Sequence, residues 1–223
     1  MNYKFLWAPV AKALPELAAA AFTTLQVSVL AMVAGTAIGL GLAFAKLSAK
    51  PLARYAAGAW IETARNTPVL FQLYFCYFGL GAFGLFLGSY FSVVVALTFN
   101  TAGYMAETFR GGLNAIHPSQ YKLARAMGLK HWQAQLHVIV PQLLRIVYLP
   151  MTNQFIWVIL MSSLGMLVGL RELSGEAQFQ FSKTFRAFEF FLATAVIYYL
   201  IAKLALGLSH LLARFFLKSE KAA

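Results

Sequence analysis

The sequence has no aspartate, one cysteine and few charges of any kind: 11% of its 223 residues are charged, against about 25% in a soluble domain. With 61% hydrophobic residues, that scarcity excludes an ordinary soluble domain, where apolar residues make up roughly half. The lone Cys76 excludes an internal disulfide and leaves the redox compartment open. No GxxxxGK(S/T) phosphate loop occurs, so an ATP-driven process needs a separate ATPase subunit. His117, His131, His137 and His210 lack HExxH or other paired ligand spacing, so neither a metal nor a cofactor of the chain's own is expected. Local signatures of Ser-His-Asp or Cys-His chemistry are also missing, and the chain is not read as an enzyme. With Met-Asn at its start and no cysteine in its tail, no lipidation motif is expected to change the membrane reading.

What is present is long uncharged runs. A charge near the bilayer centre costs roughly 2.5 to 3.5 kcal/mol on insertion scales, so gaps between charges mark spans. Leu17 to Ala45 is uncharged over 29 residues, Asn66 to Ala106 over 41 and Ile146 to Leu170 over 25, each more than the ~20 needed to cross. The first run is too long for the apolar core of a signal peptide, about 7 to 15 residues, and reads as a retained helix. Gly79, Gly81, Gly84 and Gly88 suit a turn that divides the longest run. A last span tolerates Glu189 at one end and a snorkelling Lys203. The prediction is an all-α integral membrane protein, one domain over residues 1–223. It has five transmembrane helices at about 18–45, 54–79, 85–109, 146–170 and 187–213.

The net charge of +11 then points to orientation and anionic lipid rather than nucleic acid. Lys46, Lys50, Arg54, Arg65, Arg110, Lys122, Arg125, Lys130, Arg145, Arg214, Lys218 and Lys221 fall on one face, and Lys4, Lys12, Arg171, Lys183 and Arg186 on the other. By the positive-inside rule the first face is cytoplasmic, with the N-terminus outside and the C-terminus inside.

Residues 110–145 are too polar to span and too patterned for a loose loop. His117-Pro118 opens a helix that Gly128 ends. Trp132, Leu136, Ile139 and Val140 share the face of a second short helix, which Pro141 is predicted to stop. Spacing alone allows two readings: an amphipathic hairpin on anionic lipid, or a helix offered to a groove on a cytoplasmic partner.

Polar groups inside spans mark a pathway, because an unpaired one in hydrocarbon is costly. Thr98, Asn100 and Thr101 lie on the third span, and Asn153, Gln154, Ser162 and Ser163 on the fourth. Amides and hydroxyls offer a zwitterion both donors and acceptors, although they also bond their own helix or bridge neighbouring spans. Glu62 with Arg65 and Glu107 with Arg110 have the spacing of structural ion pairs, and Arg65 before a Thr-Pro break is a candidate gate. Gly35 with Gly39, Gly84 with Gly88, and Gly165 with Gly169 have spacing that permits close helix packing.

Several of these stretches resemble a known family. Glu107-Thr-Phe-Arg-Gly-Gly-Leu-Asn-Ala-Ile, Gln120, Ala124-Arg-Ala-Met-Gly128, Trp132-Gln133 and Ile139-Val-Pro141-Gln142 resemble the EAA-type cytoplasmic loop of bacterial ABC importer permeases. Arg65-Asn-Thr-Pro-Val-Leu-Phe-Gln72 and Tyr77-Phe-Gly-Leu80 are similar to the signature of the polar amino-acid branch, the histidine, arginine, glutamine and glutamate systems. The resemblance covers about residues 20 to 213. It implies a MetI-like ABC importer permease fold in the bacterial inner membrane. The implied partners are an identical or homologous permease, two ATPase subunits that bind ATP and Mg, and an extracytoplasmic solute-binding protein that delivers a polar amino acid. The coupling surface would comprise Lys122, Ala124, Gly128, Leu129, Lys130, His131, Trp132 and Gln133, and the substrate pathway Arg65, Gln72, Asn100, Thr101, Asn153, Gln154, Ser162 and Ser163. Two departures stand out. Lys122-Leu123-Ala124 replaces Glu-Ala-Ala, and Leu160-Met161 replaces a Lys-Asp pair. Against the importer stand an ion-coupled transporter or channel, expected to carry central ionisable residues, and a membrane scaffold that recruits a cytoplasmic protein.

Overall fold

The computed structural model describes residues 3–216, so the basic Lys218 and Lys221 lie outside the described residues. All regular structure among the described residues is helical. A short α1 (Ala8–Lys12) leads into α2 (Leu14–Lys46), α3 (Pro51–Asn66) and α4 (Val69–Tyr74). Then come α5 (Gly88–Ala115), α6 (Pro118–Ala126), α7 (His131–Ala134), α8 (Val140–Met161), α9 (Leu173–Thr184) and α10 (Ala187–Phe216). Helix α2 carries Pro15 and Glu16 in its first turn and Lys46 in its last, which suits both the fixed proline φ and the helix dipole. It exposes Phe22, Val29, Val33 and Phe44, as α10 exposes Tyr199, Leu204 and Leu208, the outward apolar surface that a bilayer rather than water accommodates.

Among the described residues three helices are long and apolar enough to cross a membrane: Leu14–Lys46, His131–Val168 and Ala187–Arg214. Val69–Phe83 and Gly88–Ala115 pass together as a fourth, bent by 118° between them. The expected second span, 54–79, is therefore not one helix. Proline disfavours α geometry at the residue before it, and Thr67 and Pro68 are both extended, so the stretch divides into α3 and α4. A π-turn over Phe75–Gly79 and a 3-10 turn over Leu80–Phe83 follow.

Helix α5 is central and packs most extensively on α2, with α3, α4 and α8 around it. Glycines set these distances. A Cβ on Gly35 would lie 2.7 Å from Thr101 Cβ, and one on Gly39 would lie 2.8 Å from Ala102 O. On α5 itself, a Cβ on Gly103 would meet Ala64 at 2.6 Å and one on Gly112 would meet Val147 at 2.6 Å. The Gly35/Gly39 pair thus performs the close packing its spacing suggests. In the other two pairs only Gly165 is closely packed, where a Cβ would lie 3.2 Å from Val93 of α5. Gly84, Gly88 and Gly169 have φ of 78°, 66° and 77°, and their use is the left-handed turn that side chains disfavour.

Pro141 does not stop a helix either. It sits in the first turn of α8, directly after a π-turn over Gln135–Ile139, within one continuous helix from His131 to Val168. The wider π-turn accommodates the ring and the missing N–H. It also shifts the face: Ala134 and Ile139 are buried, whereas Trp132 and Leu136 point outward.

Replacing Gly39 with Leu is expected to cost about 1–3 kcal/mol, the usual penalty of overpacking, because the atoms it meets are Met105 Cβ and the backbone of Ala102 and Ala106. Gly41→Leu, on the same helix with nothing within 4 Å of its Cβ, is the control. Thermal melting of the purified protein in detergent measures both, and equal melting temperatures would refute the close-packing account.

Candidate functional site

The break after α3 leaves a specific chemical problem. Ala64 O would normally accept from the N–H four residues on, but that residue is Pro68, which has none. Two buried amides fill the gap: Asn100 Nδ2 donates to Ala64 O at 2.8 Å and Gln72 Nε2 at 3.0 Å. Gln72 Nε2 also reaches Thr67 O at 3.1 Å and Thr67 Oγ1 at 2.8 Å, and that hydroxyl donates to Thr63 O at 2.8 Å. The end of α3 is thus capped by side chains from α4 and α5. Gln72 Oε1 and Asn100 Oδ1 are buried with no hydrogen-bond partner among the described residues.

Next to Ala64, the Arg65 side chain is 42% exposed. Its guanidinium lies 5.5 Å from the Tyr104 ring centroid, and Tyr104 in turn faces Trp157 of α8 at 6.0 Å. Arg65 does not pair with Glu62, as spacing suggested. It turns instead to Glu107 at 3.9 Å. Glu107 is held more closely by Arg110, whose Nη2 is at 2.6 Å and whose Nε is at 3.1 Å from both oxygens. One carboxylate therefore serves two guanidiniums, and Arg65, the looser partner, keeps donors free for another anion.

The remaining pathway candidates separate. Thr101 is buried against Gly35 in the α2–α5 contact, away from Arg65. Ser162 Oγ and Ser163 Oγ donate to Ile159 O and Leu160 O, each at 2.7 Å, bonding their own helix as such hydroxyls commonly do. Asn153 is exposed on α8, and Gln154 is half-buried with Nε2 unpaired among the described residues. Sequence reasoning missed Tyr104 and Trp157, which lie inside uncharged runs with nothing local to distinguish them from core aromatics.

The 110–145 segment folds as two short helices about a glycine. His117 Nδ1 accepts from Ser119 N at 3.2 Å and so caps α6. At the far end Leu129 N bonds Ala124 O at 3.2 Å and Gly128 N bonds Arg125 O at 3.1 Å, a Schellman motif. Gly128 has the φ of +88° that this turn requires. Gln133 Oε1 accepts from Lys130 N at 2.8 Å at the start of α7, and His131 Nδ1 bonds Tyr121 OH at 2.8 Å. Ala124 is buried; Lys122, Lys130 and His131 are exposed and Leu129 is half-buried. Around the turn Met127 is 82% and Trp132 58% exposed, so the knob presents apolar side chains among cations.

At the opposite end of the bundle lies a buried carboxylate that the sequence did not flag. Glu172 is 0% exposed. Its oxygens accept from Tyr198 OH at 2.6 Å, Gly175 N at 2.9 Å and Thr24 Oγ1 at 3.3 Å, tying α2, α9 and α10 together. Glu189 is likewise buried and binds the N-terminal segment, through Tyr3 OH and through Leu6 N at 2.9 Å.

A helical membrane bundle with a two-helix knob is the architecture of a transporter's membrane component. The chain belongs to the family described as binding-protein-dependent transport system inner membrane component, which matches residues 35–218. It is 36% identical over 200 residues to the glutamine transport system permease protein GlnP of Escherichia coli K12, covering 89% of this chain and 91% of that one. It is 34% identical over 193 residues to the probable glutamine ABC transporter permease protein GlnM of Bacillus subtilis, covering 85% and 88%. Among solved structures it resembles an amino acid ABC transporter with histidines, with a TM-score of 0.87 at 32% identity over 96% of this chain and 99% of that one. The MetNI methionine ABC transporter shares the fold, with a TM-score of 0.76 at 20% identity over 92% and 98% of the two chains. The fold is accordingly the all-helical MetI-like permease fold of a multi-pass membrane protein.

Burial pushes the Glu172 carboxyl above its ordinary value, against the opposing hydrogen bonds from Tyr198, the backbone of Ser174 and Gly175, and Thr24. A raised folded pKa means that stability is full below the ordinary value of about 4.3. It is lost as pH rises through the folded value, since ionisation costs more inside than in the unfolded chain. Glu172→Gln is expected to flatten the fall in melting temperature above that pH. Parallel profiles for the two proteins would show that Glu172 is not the group responsible.

Proposed function

We propose that this chain is the permease subunit of an ABC importer in the bacterial inner membrane, moving a polar amino acid from a solute-binding protein to the cytoplasm. The chain forms one permease domain with five spans, the N-terminus outside and the C-terminus inside. The excess of basic residues on the face bearing Lys46, Arg110 and Lys130 supports that orientation. Two ATPase subunits bind ATP and Mg and hydrolyse the nucleotide; this chain contributes no ATPase. It pairs with an identical or homologous permease.

The observation that carries the reading, within the family assignment, is the exposed knob between α6 and α7. An aromatic anchor beside a rigid turn and a ring of cations fits a cleft on another protein better than a lipid surface, where a planar amphipathic face is expected. Lys122, Gly128, Leu129, Lys130, His131, Trp132 and Gln133 form the coupling surface, and Ala124, expected there from the sequence, is buried beneath it. Lys122, standing where the family pattern has glutamate, calls for an acid on the ATPase. In the bundle, Arg65 meets the carboxylate of the transported amino acid, and Asn153 and Gln154 line the path.

Reconstitution of the permease with its ATPase and binding protein in liposomes tests the function. Amino-acid-loaded binding protein is expected to stimulate ATP hydrolysis and uptake, and absence of both rules out the importer. Within that complex Trp132→Ala is expected to weaken ATPase binding by roughly 2 kcal/mol, the scale of an interface anchor. Lys122→Glu is expected to lower affinity until a cleft acid is reversed to match. ATPase binding that is unchanged in both variants would place the contact elsewhere.

A further inference from the structure

We propose that Gln72 and Asn100 are positioning residues for transport: together they clamp the carbonyl of Ala64 and so fix the place of Arg65. The inference rests on the transport reading above and gives the donors of these amides a structural task in place of contact with the solute.

The argument begins with donor counts. Gln72 Nε2 has two hydrogens and three acceptors within 3.1 Å, namely Ala64 O, Thr67 O and Thr67 Oγ1, so its donors are fully committed. Asn100 Nδ2 is committed to Ala64 O at 2.8 Å. Both residues are buried, as is Ala64. A solute could use the Gln72 NH₂ group only by stripping a hydrogen bond from Ala64 O, Thr67 O or Thr67 Oγ1, whereas Asn100 spends one of its two hydrogens on the same carbonyl. The clamped carbonyl belongs to the residue immediately before Arg65, and a Cβ on Gly103 would lie 2.6 Å from Ala64 Cβ, so α3 is pressed against α5 at the same level. Movement of Ala64 therefore carries the root of Arg65 with it. Beyond its root, the Arg65 side chain is restrained only by an ion pair of 3.9 Å and a ring at 5.5 Å, which are weak for a half-exposed group. The clamp supplies the precision that those contacts do not.

The test uses the full reconstituted importer with Asn100→Leu, Gln72→Leu and the double variant. Each single variant is expected to raise the apparent KM for uptake about tenfold with a smaller change in maximal rate, as loss of solute positioning does. A purely structural defect would lower the maximal rate through loss of active complex. The second readout is a pair of nitroxides on Glu62→Cys and Gly111→Cys in a Cys76→Ala background, whose distance distribution is expected to be narrow in the parent and broad in the double variant. A KM at the parent value, or a parent-like distribution, overturns the clamp. If a Leu variant does not assemble, Thr67→Val removes only the relay hydroxyl and is expected to raise KM in the same direction. A parent complex that moves no polar amino acid overturns the transport reading instead, and the nitroxide distances still decide whether the amides hold α3.

Discussion

The arrangement of the bundle depends on how closely α5 lets other backbones approach. Gly35 and Gly39 bring α2 onto one side of it, and Gly103 and Gly112 admit α3 and α8 on others. In a bilayer the solvent is as apolar as the side chains, so burial gives little drive for helix association and close van der Waals contact must replace it. Small residues on both partners are what permit that contact. With α5 held in this way, residues from α3, α4 and α8 are brought to fixed heights along a common axis. That is why Ala64 meets Asn100 and why Arg65 meets Tyr104 and Glu107.

The interruption at Thr67-Pro68 follows from a local rule and creates a tertiary need. Proline excludes helix geometry before it and removes a donor. Water would satisfy the freed carbonyl at a protein surface, but inside the bundle only another protein group can do so. The two amides meet that need, and in doing so they set the polarity of the interior. Gln72 Oε1 and Asn100 Oδ1 remain as acceptors without partners among the described residues, while the Gln72 donors are consumed. The polar cluster is therefore shaped by the backbone before any solute enters.

Much of this was legible in the residues. Uncharged runs located the long helices, the glycine-rich stretch located the turn before α5, and Gly128 marked the knob's turn, because each depends on a local cost that one or two residues determine. The break in the second span was visible as Thr-Pro but was passed over in favour of an unbroken apolar run, since hydropathy does not register geometry. The face of the helix after α7 was misassigned because a π-turn inserts one extra residue into the period, a shift with no residue signature of its own. Ion pairing was half legible. Glu107 and Arg110 are neighbours on one helix, but Arg65 crosses to another helix, and partner choice across elements is settled by packing. The buried Glu172 was hidden for the same reason, as its ligands Thr24 and Tyr198 are distant in sequence.

Charge placement also bears on the two departures from the family pattern. Leu160 and Met161 stand where a Lys-Asp pair is common, and Met161 packs against the core that includes Val158 and Val168. An apolar pair there gives a cationic side chain no counter-ion. Nearby, Arg65 is the cation with donors to spare, and Glu107 already answers to Arg110. The charge available to the interior is therefore that of the half-exposed Arg65, set between Tyr104 and Glu107, rather than an ion pair at 160–161.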